Sequence, residues 1–306
     1  MNSHWARTPE RGTPLGVRFL AWCHRLLGET GMRIVLWPVI AYFLLTGVAA
    51  RRASMDYFAR LRRFSGGATP APGWGTSFRH MLAFAESALH KIAAWAGRID
   101  ELAVQFPERA RFEALLASGR GALFIGAHFG NLEMTRALAA HDQLARITAV
   151  VYTEHATAFR GTLERASAAY GENLVHVTEI TPATVIALKE KVERGELLVI
   201  VGDRTPAAEN GRVCSVDFLG APADFAEGPF ILAHLLECPV YLFFCPREAA
   251  GYRICLEPFA DRIELPRAQR AEALRAYARR YAARLEALCL HAPYQWFNFY
   301  NYWQSR

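Results

Sequence analysis

A mostly parallel β-sheet flanked by helices, an α/β fold, is what the order of patterns along this 306-residue sequence predicts. Short apolar runs recur at Ala122–Ala127, Ile147–Tyr152, Leu174–Val177 and Leu197–Gly202. They do not alternate with polar residues, as expected of strands buried on both faces. Between them lie stretches of helical period at Ala156–Tyr170 and Pro182–Arg194, with Pro182 near a first turn and Gly195 just past an end. Strands that alternate with helices imply parallel pairing through crossovers.

The chain starts with a polar arm, Met1–Pro14, that has no plan of a cleavable signal. Leu15–Leu27 follows as an amphipathic segment carrying Arg18 and Arg25, and Ile34–Ala50 has no charge at all. The latter sits at the short end of the roughly 20 residues that spanning hydrocarbon takes. Arg33 bounds one end and Arg51 with Arg52 the other, while Trp37 and Tyr42 suit a membrane interface. A spanning anchor, a helix in the headgroup layer and a buried helix covering the domain are all open, with the two membrane readings preferred. Arginines on both flanks leave the positive-inside rule indecisive. No further spanning segment follows, so the rest is expected on the cytoplasmic side of the inner membrane.

Ser65–Trp74, rich in glycine and proline, is the clearest break. The expected organisation is therefore an N-terminal hydrophobic, membrane-associated part over 1–64, a linker over 65–76 and an α/β domain over 77–306. Within the last, Ser77–Phe106 shows a helical apolar stripe, one helix or a bent pair.

The stretch Gly121–Ala139 organises the remainder. An apolar strand ends at His128, a turn carries Gly130, and a helix is predicted from near Asn131. That places His128 at the carboxyl end of a strand, where open α/β sheets bind ligands. Glu133 stands five residues on. An imidazole takes a proton near neutral pH, and a carboxylate on its other nitrogen fixes the tautomer. The alternative is a structural histidine with a solvated first-turn glutamate. With no G-x-S-x-G elbow, the nucleophile is expected to be a hydroxyl or amine of a bound acceptor.

The strand at Leu197 delivers Gly202-Asp203-Arg204-Thr205-Pro206 to the same edge. Asp203 and Arg204 are candidates for substrate binding, because the arginine fork suits phosphate oxygens. A salt-bridged loop is the alternative. Gly211–Gly220 reads as a strand or hairpin, and Gly228-Pro229 opens a helix whose first amides can meet an anionic group. Pro239 precedes another strand, Tyr252–Phe259 forms the last one, and Arg267–Leu290 is a long amphipathic helix.

His128-Phe-Gly-Asn-Leu-Glu133 resembles the H-x4-D/E block of the lysophospholipid acyltransferase superfamily, in the glutamate variant of the late, lipid A branch. Asp203-Arg204-Thr205 is similar to the superfamily's third block, although the residue order departs from that of the glycerolipid enzymes. Pro293-Tyr-Gln-Trp-Phe-Asn298 resembles the family's aromatic tail, with Asn298 and Asn301 where arginines usually follow. The resemblance implies an acyltransferase that moves an acyl group from a thioester to a hydroxyl or amine of a lipid acceptor. It makes His128 the general base, Glu133 its partner, and Gly130, Asn131, Gly228, Asp203 and Arg204 substrate-binding. The implied co-substrate is an acyl carrier protein or coenzyme A thioester with no further cofactor, and the membrane surface is the implied partner. A thioesterase or lipase using the same base, or a non-catalytic lipid or acyl-carrier binding protein, stays open.

Composition is consistent with this reading. The net charge of +6 is carried by arginine, since only three lysines occur. An arginine-rich face suits anionic headgroups or an acidic carrier, while no nucleic-acid motif supports that class of partner. Six scattered cysteines without C-x-x-C point to a reducing compartment, and the histidines show no metal-ligand spacing.

Overall fold

The computed structural model describes residues 31–32, 34–95, 104–134, 147–152, 174–177, 181–205 and 212–303. In chain order the helices are Ile34–Thr46 (α1), Val48–Phe64 (α2), Trp74–Trp95 (α3), Arg109–Ala117 (α4), Pro182–Glu193 (α5), Gly228–Leu236 (α6) and Arg270–His291 (α7). The first strands are Val104–Gln105 (β1), Ala122–Gly126 (β2), Ile147–Tyr152 (β3), Leu174–Val177 (β4) and Leu197–Val201 (β5). Val213–Phe218 (β6), Ala221–Ala226 (β7), Val240–Phe244 (β8), Arg247–Glu248 (β9), Gly251–Arg253 (β10) and Cys255–Ala260 (β11) complete them.

Six strands form the central sheet in the order β11-β8-β2-β5-β3-β4. Neighbours pair parallel except at the edge, where β11 runs antiparallel to β8. The other strands pair both ways: β6 and β7 make an antiparallel hairpin, and β10 lies between a parallel β1 and an antiparallel β9. All five residues of β2 are buried, as the unalternating apolar run requires.

Several elements differ from the sequence reading. The single strand expected over Tyr252–Phe259 is interrupted at Ile254, whose amide donates to the Gln105 carbonyl at 2.8 Å. Its two halves then serve different sheets. The helix expected through Phe106 stops at or before β1, which pairs with β10. Helix α4 had no distinct signal. The hairpin expected by Gly220 continues into β7 through a two-residue turn, with Leu219 at φ 51° and Gly220 at φ 76°. Such a turn has both central residues at positive φ. The segments Leu15–Leu27 and Ala156–Tyr170 lie outside the described residues. Beyond Asn131 only a short 3-10 turn, 132–134, is described.

The N-terminal helices contribute in two ways. Tyr57, Phe58 and Leu61 of α2 are fully buried in the same core as β2, β5 and α7, each burial being worth on the order of 2 kcal/mol. Helix α1 meets α2 at a 92° bend at Gly47. The inner side of α1 packs Leu36, Ile40 and Leu44 against Leu89 and Met81 of α3, while Ile34, Trp37, Tyr42 and Leu45 stay exposed. Among the described residues no single helix is long and apolar enough to cross a membrane.

Candidate active site

Strand register assembles the site. Gly126 of β2 pairs with Val201 of β5, and the Gly202 amide donates to the Gly126 carbonyl at 2.9 Å. Tyr281 of α7 donates its hydroxyl to the same carbonyl at 2.7 Å and fills the space over Gly202, where a Cβ would lie 3.1 Å from the ring. Two parallel strands thus end level with one another. Two residues further on each, His128 and Asp203 face each other.

The Asp203 carboxylate, 2% exposed, grips His128 at two points. Oδ1 lies 2.8 Å from Nδ1 of the ring, and Oδ2 accepts the His128 backbone N–H at 3.0 Å. The indole Nε1 of the fully buried Trp296 donates to Oδ2 at 3.1 Å. An aspartate with three such donors is satisfied as an anion. Burial pushes its pKa up, but His128, Arg204 and Trp296 outweigh burial and hold it below the ordinary carboxylate value.

Arg204 places Nε 3.3 Å from the same His128 Nδ1. One nitrogen cannot both donate to a carboxylate and accept from a guanidinium. The shorter contact with an acceptor-only partner decides: Nδ1 carries the proton, and Nε2 is the basic nitrogen. Arg204 is then a cation beside the ring, fixed by Nη2 on the Phe297 carbonyl at 3.1 Å and by the face of Tyr300 at 4.8 Å. The imidazole keeps 40% of its side-chain area in solvent within crowded walls. Burial lowers its pKa, Asp203 opposes that, and Arg204 and Lys91 reinforce it, for a net value below the usual histidine one. That direction favours the neutral ring, which is the form able to accept a proton.

Glu133 sits elsewhere than on Nδ1. Its carboxylate lies 3.2 Å from Lys91 Nζ of α3. The amides near Gly130 are engaged with protein: Gly130 donates to the Gln295 carbonyl at 2.9 Å and Asn131 to that of Cys245 at 2.8 Å. Gly130 has φ +66°, and any Cβ there would collide with the Cys245 carbonyl. The Asn131 side chain, 4% exposed, ties the turn to α3 through the Ser87 carbonyl at 3.0 Å and caps the next turn at the Glu133 amide. Gly130 and Asn131 thus shape the turn. Gly228 opens α6, and no hydrogen bond links it to His128 among the described residues.

A cavity of about 280 Å³ opens alongside this turn. Gly130, Phe297, Ser87, Tyr252 and the Glu86–Arg247 ion pair line it. Phe297 also donates its amide to the His128 carbonyl at 2.8 Å, which ties the turn to the cavity wall. The part the sequence reading missed is Trp296. It stood out only as one aromatic in a tail dense with them, and nothing in that pattern names its partner.

A histidine oriented by a buried carboxylate at the rim of an α/β sheet is an arrangement able to exchange a proton. The chain belongs to the bacterial lipid A biosynthesis acyltransferase family, whose model matches residues 77–305. It is thereby placed among acyltransferases, and the lipid A branch of the resemblance is the matching one. A comparison with curated protein sequences gives no match.

Proposed function

We propose that the protein transfers an acyl group from a thioester of an acyl carrier protein or coenzyme A to a hydroxyl or amine of a lipid acceptor, with His128 as general base. The observation that carries this is the 2.8 Å bond between His128 Nδ1 and Asp203, which leaves Nε2 as the basic position. Nε2 takes the acceptor proton as its oxygen or nitrogen attacks the thioester carbonyl. The tetrahedral intermediate collapses, the C–S bond breaks, and the departing thiolate recovers the proton from His128. Asp203, rather than Glu133, stabilises the imidazolium formed in between. Burial, reinforced by Arg204 and Lys91, favours the neutral resting ring.

The elbow of α1 and α2 is the part we assign to the membrane surface. The exposed Ile34, Trp37, Tyr42 and Leu45 suit the interfacial layer. Arg51 closes the end of α1 on the Leu44 carbonyl and stacks on Trp74 at 4.1 Å, with Arg52 exposed beside it. Cations held there suit an anionic headgroup layer.

The test is acyl transfer by the purified protein in detergent, given carrier and coenzyme A thioesters with a bacterial lipid extract and followed by mass spectrometry. The wild type should form an acylated lipid. His128→Ala should form none while keeping its melting temperature. Undiminished turnover in that variant overturns the base assignment, and equal release of free acid with acceptor withheld identifies a hydrolase instead.

A further inference from the structure

Asp203 is the end of a longer hydrogen-bonded chain that begins in the N-terminal helices. Trp296, whose indole holds Asp203, is itself held through its carbonyl. His80 of α3, fully buried, bonds that carbonyl through Nε2 at 2.8 Å. Its Nδ1 lies 3.0 Å from the hydroxyl of Ser54 on α2, also fully buried.

The tautomer of His80 is fixed by this arrangement. A carbonyl only accepts, so Nε2 carries the proton, and Nδ1 accepts from the Ser54 hydroxyl. Burial lowers the His80 pKa to about 4, so the ring stays neutral through the physiological range. It acts as a strut of fixed polarity, unlike the titrating ring of His128. The surroundings are close-packed: Tyr57 touches Trp296 edge-on at 5.2 Å and donates to the Pro293 carbonyl at 2.9 Å, and Phe299 lies 4.4 Å from the His80 ring.

We propose that His80, seated by Ser54, is a positioning residue for the catalytic pair: it sets Trp296 so that the indole N–H meets Asp203 and squares the carboxylate on His128. The α2–α3 layer thereby determines the geometry of a site at the far rim of the sheet. The proposal rests on the reading of His128 as base for its catalytic readout only.

The chemistry predicts a signature that a general loss of packing would not give. With the indole withdrawn from Oδ2, the Asp203 anion has one donor fewer and binds the imidazolium of His128 more strongly. The pKa of His128 then rises. Asp203, Arg204 and Lys91 are the charged groups that set its starting value, and none of them is altered by changes at His80 or Ser54.

The experiment compares the paired variant His80→Phe with Ser54→Ala, the conservative His80→Gln, and Trp296→Phe. Replacing both partners of a buried bond by apolar groups is close to neutral for stability, and the Asn298 amide at 2.8 Å still satisfies the Trp296 carbonyl. NMR of histidine-labelled protein reads the titration of His128, assigned by its loss in His128→Gln. The paired variant should shift that titration upward, in the same direction as Trp296→Phe, with no further shift when all changes are combined. The kcat should fall about tenfold with KM little changed, and His80→Gln, which keeps a donor at the ε position, should recover most of it. An unmoved His128 titration in the paired variant overturns the proposal whatever the activity. If instead His128→Ala remains active while the titration shifts as described, the wiring stands and the base reading falls.

Discussion

The turn after β2 and the turn after β5 leave the same edge of the sheet, and each brings one carboxylate. Glu133 lies five positions from His128 and pairs with Lys91. Asp203 lies 75 positions away and holds both the ring and the backbone of His128. The difference teaches that proximity along the chain is a poor guide at a strand–turn–helix corner. After β2 the chain turns away through Gly130 at positive φ, its amide committed to Gln295. Strand β5 runs parallel and in register with β2, so its first residues beyond the sheet arrive beside the histidine.

Experiments can break or sharpen that contrast. The largest effect is expected from removing the imidazole itself: His128→Ala should lower kcat/KM by roughly 10³-fold or more with its fold intact, as judged by circular dichroism. Asp203→Asn should follow at about 10²-fold in kcat, because the amide no longer fixes the tautomer or balances the imidazolium. Glu133→Gln should cost about tenfold or less, since it removes the Glu133 ion pair with Lys91 yet leaves the grip on Nδ1 in place. A loss in Glu133→Gln equal to that of Asp203→Asn would reverse the assignment of the two carboxylates.

Two further measurements carry smaller effects. The base must be unprotonated, and its pKa lies below the ordinary histidine value. The acid limb of kcat/KM should therefore fall below pH 6.5, with activity flat from there to neutrality. Arg204→Gln removes a cation that lowers this pKa, so the limb should move toward higher pH; a shift the other way would contradict the electrostatic reading. Linkage gives the same sign for stability. A histidine whose folded pKa is depressed binds its proton more readily when unfolded, so acidification through pH 6.5 should begin to lower the melting temperature. Gly130→Ala tests the backbone: strain at φ +66° and a clash with the Cys245 carbonyl should cost about 2–3 kcal/mol by chemical denaturation.

Much of this was legible in the sequence. The strands at Ala122, Ile147, Leu174 and Leu197 follow from unbroken apolar runs, because burial on both faces leaves no room for alternation. His128 and Asp203 were legible as rim residues for the same reason, each following its strand by a residue or two. The helix limits at Pro182 and Gly195 were set by local backbone chemistry, with Thr181 capping the first turn at Thr184.

Tertiary structure decided the rest. Which carboxylate reaches His128 depends on the side-by-side register of β2 and β5, and sequence spacing carries no information on register between strands 75 residues apart. Whether the amides near Gly130 can serve a ligand depends on Cys245 and Gln295, which arrive from the far end of the chain. The same holds for Trp296 and for the strut of His80 and Ser54: local patterns report which faces are apolar, while hydrogen bonds across 26 to 216 residues exist only once the core has closed around them.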